Sequence, residues 1–158
     1  MAAALEQARR GFESGEVPIG AVVVIDGQII ARAFNQPIGA VDPTAHAEVL
    51  ALREAAHTAG NYRLTGAIVY VTLEPCLMCV GALIHARVRE VVYGAPEPKT
   101  GALVSSLQAL ETPGLNHRFS VRSGVAEGEC RDLIQAFFRE RRLSARAGVV
   151  AAADEGGL

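Results

Sequence analysis

Two short segments carry residue types that can do chemistry together: Thr44-Ala45-His46-Ala47-Glu48 and Glu74-Pro75-Cys76-Leu77-Met78-Cys79. Cys76 and Cys79 are three positions apart, so on a helix both sulfurs project from one face. His46 adds an imidazole, and the three together have the softness that suits zinc. Structural zinc sites close with four protein ligands, whereas catalytic sites keep one position open for water, so a set of three points to catalysis. Glu48, an unligated carboxylate nearby, can take a proton from zinc-acidified water and hand it on. Zinc held by one neutral imidazole and two thiolates is formally neutral, which leaves its water less acidic and makes the neighbouring base matter more.

The remaining candidate ligands are weaker. Cys130 falls on an apolar stripe with Leu133, Ile134, Phe137 and Phe138 at i, i+3, i+4, i+7 and i+8, a core position. His57 and His85 read as residues near helix ends. Cys-x-x-Cys alone also reads as a redox pair or half of a zinc knuckle. With His-x-Glu upstream and proline directly before the first cysteine, the combination matches the signature of zinc-dependent nucleobase deaminases.

The elements that must position these residues follow from periodicity and turn chemistry. A helix is expected around Leu5, Ala8 and Phe12, ending near Gly15. Ala21–Ile25 and Gln28–Ala33 read as a hairpin across Asp26-Gly27. A helix is expected over Pro43–Thr58, with Asp42 as N-cap and Pro43 first in the helix. That helix presents a conflict: His46 and Glu48, two apart, are roughly 200° apart on an ideal helix. They converge only if the site lies off the helix end. Ala67–Leu73 reads as a strand, Pro75 to about Arg87 as a helix, and Glu90–Tyr93 as a short strand. A loop from Gly94 to about Arg118, a strand over Ser120–Val125 and the final helix complete the series. One domain over 1–146 is expected, with a flexible tail over 147–158. A hairpin followed by helix–strand alternation implies α/β layers on a mixed sheet.

Composition narrows the function classes. A chain of 158 residues, half of them hydrophobic and a fifth charged, fits one globular domain and excludes intrinsic disorder. Its apolar runs are far too short to span a membrane. No export signal is read at the start, so a cytoplasmic location is expected. A net charge of -2 means that any nucleic-acid surface must be a local patch.

The chain resembles the bacterial tRNA-specific adenosine deaminases, of the cytidine deaminase-like fold, from about Leu5 to Arg142. Beyond the zinc motifs, the likeness includes Glu16-Val17-Pro18-Ile19-Gly20-Ala21, Asn35 with Pro37-Ile38-Gly39, and Asp42-Pro43-Thr44-Ala45-His46-Ala47-Glu48. It continues through Asn61-Tyr62-Arg63-Leu64, Lys99-Thr100-Gly101-Ala102, Asn116-His117-Arg118 and Phe137-Phe138-Arg139. The resemblance implies a three-layer α/β/α fold on a mixed sheet of about five strands. It also implies a homodimer, with one zinc ion per subunit, that converts the wobble adenosine of a tRNA anticodon, typically an arginine tRNA, to inosine. His46, Cys76 and Cys79 would ligate the metal. Activated water would attack the amino-bearing carbon while Glu48 protonates the adjacent ring nitrogen and then the departing amine. Asn35 would hydrogen-bond the flipped nucleotide, with Ala47 beside it.

RNA contact needs local positive charge. From Arg118 to Arg146 there are seven arginines against four acids, with Arg139, Arg141 and Arg142 densest. These fit RNA contact or a solvated helix face. Phe138 fits the substrate or the core, Lys99 a phosphate or plain surface, His117 the RNA or its own loop, and Asn35 substrate or strand termination. The helix over Val80–Arg87 and the loop after Tyr93 are the candidate dimer interface. Glu97, between Pro96 and Pro98, stands where relatives commonly carry aspartate, and Leu103-Val104 is bulkier than usual. The competing functions are deamination of a free base such as guanine or cytosine, and RNA binding around a vestigial zinc site.

Overall fold

Asp26 and Gly27 both take positive φ, 50° and 76°, as a two-residue turn between twisted strands requires. They join β1 (Gly20–Ile25) to β2 (Gln28–Phe34) antiparallel. In this computed structural model, the backbone of residues 1–155 and the side chains of residues 1–145 are described. On its other edge β1 pairs antiparallel with β3 (Ile68–Leu73), followed by parallel β4 (Glu90–Ala95) and β5 (Ser120–Arg122). The five-stranded mixed sheet therefore runs β2-β1-β3-β4-β5.

Alternate residues of the central strands are buried on opposite faces, so the sheet is covered on both sides. Val23, Val69, Val71, Val91 and Tyr93 join the core beneath α2 (Ala47–Ala59) and α3 (Leu77–Ala86). Val22 and Val92 are buried on the other face, under α1 (Ala2–Glu13) and α4 (Glu127–Glu155). The result is the expected α/β/α layering. Gly20 allows the close approach of α1: a Cβ there would lie 2.5 Å from the Ala8 backbone nitrogen.

The sequence expectations for α2 and α3 are corrected at their starts. Asp42 does not cap a helix at Pro43. Its Oδ1 accepts the Thr44 N–H and hydroxyl, both at 2.7 Å, closing a turn. The Ala45 carbonyl accepts the Gln36 N–H at 2.9 Å, so the chain enters α2 only at Ala47 with His46 as the N-cap. Likewise Pro75 gives its carbonyl to Ala102 N–H at 2.9 Å, and α3 begins at Leu77 with Cys76 as N-cap. α4 continues through Glu155, past the Arg146 where a tail was expected; the side chains of that stretch lie outside the described residues. Among the described residues, no helix is long and apolar enough to cross a membrane.

Candidate active site

Both ligand segments sit at helix N-termini on the same side of the sheet, α2 entering from the turn after β2 and α3 leaving the carboxyl end of β3. Cys76 is the N-cap of α3 and Cys79 its third residue, positions whose side chains meet at a helix start. Their sulfurs are 3.7 Å apart, and each lies close to His46 Nδ1, at 3.6 and 3.5 Å. Tetrahedral zinc with Zn–S of about 2.3 Å and Zn–N of about 2.0–2.1 Å spaces its ligands about 3.8 Å (S–S) and about 3.6 Å (S–N) apart. The triangle fits that ion edge by edge, and its 3.7 Å sulfur separation excludes a disulfide of about 2.05 Å. No fourth protein ligand joins it among the described residues: Cys130 is buried against Leu5 and Ala95, and His57 and His85 lie in the last turns of α2 and α3.

His46 takes extended backbone angles, φ -72° and ψ 150°, so helical periodicity does not govern its relation to Glu48. That removes the 200° conflict: a cap residue and the second residue of a helix can both face its end. Glu48 is 4% exposed. Its burial, followed by the Cys76 charge, raises its proton affinity, while His46 opposes both. The thiols share a proton unequally. Hydrogen bonding from Cys79 leads the causes that draw Cys76 down to about 4, with His46 assisting, whereas the same contact and burial push Cys79 far up. The Cys76 hydrogen bond in turn raises His46. Both sulfurs become thiolates only with a cation between them, which is the donor chemistry of a metal centre.

Residues 1–142 match the family described as MafB19-like deaminase. Over 147 residues the chain is 48% identical to the tRNA-specific adenosine deaminase of Bacillus subtilis (strain 168), covering 93% of this chain and 91% of that one. It is 47% identical, with a TM-score of 0.82, to a structure from work on A-to-I editing by tRNA:A34 deaminases at the wobble position of transfer RNA, covering 84% of this chain and 96% of that one. The chain belongs to the tRNA-specific adenosine deaminase family. A guanine deaminase of Bacillus subtilis is more distant, at 36% identity and a TM-score of 0.59 over 75% of this chain and 79% of that one.

Within this family member the anticipated substrate residues fall into four places. Asn35 is buried beside the site, and its Oδ1 accepts the Ala47 N–H at 2.9 Å. That contact satisfies the first amide of α2 and leaves Nδ2 as the remaining donor. Lys99, Phe138, Arg139 and Arg142 converge on one cavity of about 460 Å³, with Ile134 and Gln135. Phe138 is 44% exposed there, so it is not the core residue its stripe suggested; Phe137 takes that place, edge-on to Phe12. Arg141 lies outside this lining, stacked on Phe137 at 5.3 Å. His117 is not brought to the metal triangle. Its Nε2 is bonded to the Val88 carbonyl at 2.8 Å, beyond the C-terminal end of α3.

Two carboxylates were missed as site-shaping residues. Glu16 accepts the Ile38 and Gly39 N–H groups at 3.3 and 2.6 Å, fixing the turn between Asn35 and His46. Glu74 does the same for residues 97–105. Burial would raise the Glu74 carboxyl, but the Ser105 hydroxyl and the Ser105, Val104 and Glu97 amides hold it below the ordinary carboxylate value. The available sequence signal was weak: single acids, each followed by a proline-containing motif, with nothing to show that loops close over them.

Proposed function

We propose that this chain hydrolyses adenosine to inosine at the wobble position of a tRNA anticodon, an arginine tRNA being the expected substrate, with one zinc ion per subunit. The observation that carries this reading is the open triangle of His46, Cys76 and Cys79 with buried, non-ligating Glu48 beside it. Bound there, zinc supplies Lewis acidity that lowers the pKa of water. Glu48 receives the proton released and delivers it to the ring nitrogen next to the reacting carbon; it then takes the proton of the newly added hydroxyl and passes it to the departing amine. Burial suits it to this shuttle, since a carboxyl of raised proton affinity can both hold and return a proton. Asn35 Nδ2 donates to the flipped nucleotide, while its Oδ1 stays on Ala47 N–H. Flipping costs a few kcal/mol, less from a loop than from a duplex. Phe138 offers a stacking face, and Lys99, Arg139 and Arg142 offer phosphate contacts around one cavity.

The same reading makes the enzyme a single deaminase domain over 1–146, acting in the cytoplasm as a homodimer. Support for the pairing is apolar: Tyr62 is 67% exposed beside a groove of about 300 Å³ between α2 and α3, Leu77 and Met78 are exposed at the start of α3, and Val104 and Leu107 are exposed in the loop after β4. A second copy is the occupant, and sedimentation of wild type against Tyr62→Glu tests it; a monomeric wild type refutes it.

The functional test is inosine formation in an arginine anticodon stem-loop with a wobble adenosine, using zinc-loaded wild type and Glu48→Ala. Wild-type conversion lost in the variant is the expected result. Turnover of free guanine or a wobble-cytidine loop instead would keep the chemistry and overturn the substrate. Zinc binding with no turnover of any of these would favour a vestigial site.

A further inference from the structure

Glu74 has no part in moving protons, yet it is 3% exposed and surrounded by donors. Its Oε1 accepts the N–H groups of Leu103, Val104 and Ser105 at 3.1, 2.7 and 2.9 Å. Its Oε2 accepts the Glu97 N–H at 3.1 Å and the Ser105 hydroxyl. Gly101 lies against the carboxylate: a Cβ there would sit 2.5 Å from Glu74 Cδ and Oε2. One side chain at the end of β3 thus gathers residues 97–105 into a closed turn.

That turn has two functional faces. Its inner side pairs Gly101 with Cys76, and Ala102 N–H donates to the Pro75 carbonyl at 2.9 Å, so it lies against a ligand of the metal triangle. Its tip is fixed by Lys99 N–H donating to Glu97 Oε1 at 2.9 Å, and the Lys99 side chain lines the cavity with Phe138, Arg139 and Arg142. The turn is therefore the physical spacer between the reacting centre and the basic cavity. Only a carboxylate suits its hub. Four amides and a hydroxyl need an acceptor on both oxygens, and the amide of glutamine would turn donors against donors.

We propose that Glu74 is a positioning residue that holds the Lys99 turn at a set distance from the metal ligand Cys76 and so fixes the register in which the RNA backbone enters the site. The proposal rests on the tRNA reading above, and it makes Glu74 act on substrate placement instead of on bond breaking. A mere brace for Cys76 would affect metal retention and every substrate alike.

The test compares wild type, Glu74→Gln, Glu74→Asp and the milder Ser105→Ala, which removes only the hydroxyl donor. Each is assayed for zinc content and for steady-state deamination of two RNAs: the arginine anticodon stem-loop with wobble adenosine, and a trinucleotide centred on that adenosine. The trinucleotide presents the same reacting adenosine with the least flanking backbone. Glu74→Gln is expected to keep its zinc and to raise KM for the stem-loop about tenfold or more, with kcat within about threefold and trinucleotide turnover nearly unchanged. Its stem-loop binding should lose salt dependence to the extent that Lys99→Ala does, and the double variant should be no worse than either alone. Glu74→Asp should recover part of the loss, and Ser105→Ala should show a smaller loss of the same kind. If Glu74→Gln does not fold, Ser105→Ala carries the comparison. Zinc loss, an equal fall on both RNAs, or unchanged KM in every variant overturns the proposal. Failure of wild type to make inosine from the stem-loop overturns the tRNA reading itself, and the proposal with it.

Discussion

Asn35 has one structural task and one proposed one, and substitution can split them. Its Oδ1 accepts the Ala47 N–H at 2.9 Å in a buried setting, and its Nδ2 is the proposed donor to substrate. Asn35→Ala removes both. Leaving the first amide of α2 without an acceptor costs about 1–3 kcal/mol, or roughly 2–12 °C in Tm for a domain of this size. Asn35→Asp keeps the acceptor. A carboxylate at a helix N-terminus gains about 0.3–1 kcal/mol, which offsets part of its burial beside Glu48, so Tm should stay within about 4 °C of wild type. Catalysis should fall in both. Losing the donor forfeits about 0.5–1.5 kcal/mol and leaves a substrate acceptor unpaired for about 1–3 more, roughly 2–4 kcal/mol together. At about 1.36 kcal/mol per decade, kcat/KM should drop about 30- to 1000-fold. Thermal melts beside inosine assays on the anticodon stem-loop read the two effects separately. An Asn35→Asp enzyme that folds and works within about threefold of wild type refutes the assignment of Nδ2 to substrate.

Three further outcomes are expected. Chelation should abolish deamination, zinc should restore it, and Cys79→Ala should lose most of its metal by atomic absorption; metal-free activity equal to holoenzyme would contradict the site. Burial raises the Cys130 thiol to about 11, so the folded state holds that proton more tightly than the unfolded chain does. The resulting stability is complete below about pH 8.5 and is lost as pH climbs through 11, so urea midpoints should fall more steeply in wild type than in Cys130→Ala over that window. Val41 is β-branched, takes φ 51° and is 90% exposed. Val41→Asn should therefore relieve left-handed strain without losing packing and raise Tm by roughly 2–4 °C, corresponding to about 1 kcal/mol.

Legibility differed by the kind of signal each residue carries. The Asp26-Gly27 hairpin, the β-branched run at β3 and the apolar stripe of α4 are local patterns, and they appear within a few residues of where periodicity puts them. The starts of α2 and α3 were displaced because Asp42 closes a local turn on Thr44, and the carbonyls of Ala45 and Pro75 accept the Gln36 and Ala102 amides, outside the helices in prospect. Phe137 and Phe138 show the limit of a stripe: adjacent residues on a helix point about 100° apart, and only packing against Phe12 decides which is core.

The sequence by itself determined the chemistry. His46, Glu48, Cys76 and Cys79 are identifiable because metal ligation and proton transfer demand particular residue types at short spacings, and short spacings survive without a fold. Convergence belongs to tertiary structure. His46 Nδ1 reaches sulfurs that lie 30 and 33 residues away in the chain because β1 and β3 pair and bring the two helix starts together. Glu16 and Glu74 acquire their roles only when loops 22 to 31 residues distant close over them. A buried carboxylate must collect donors from wherever the chain folds back, and nothing in its immediate neighbours says where that will be.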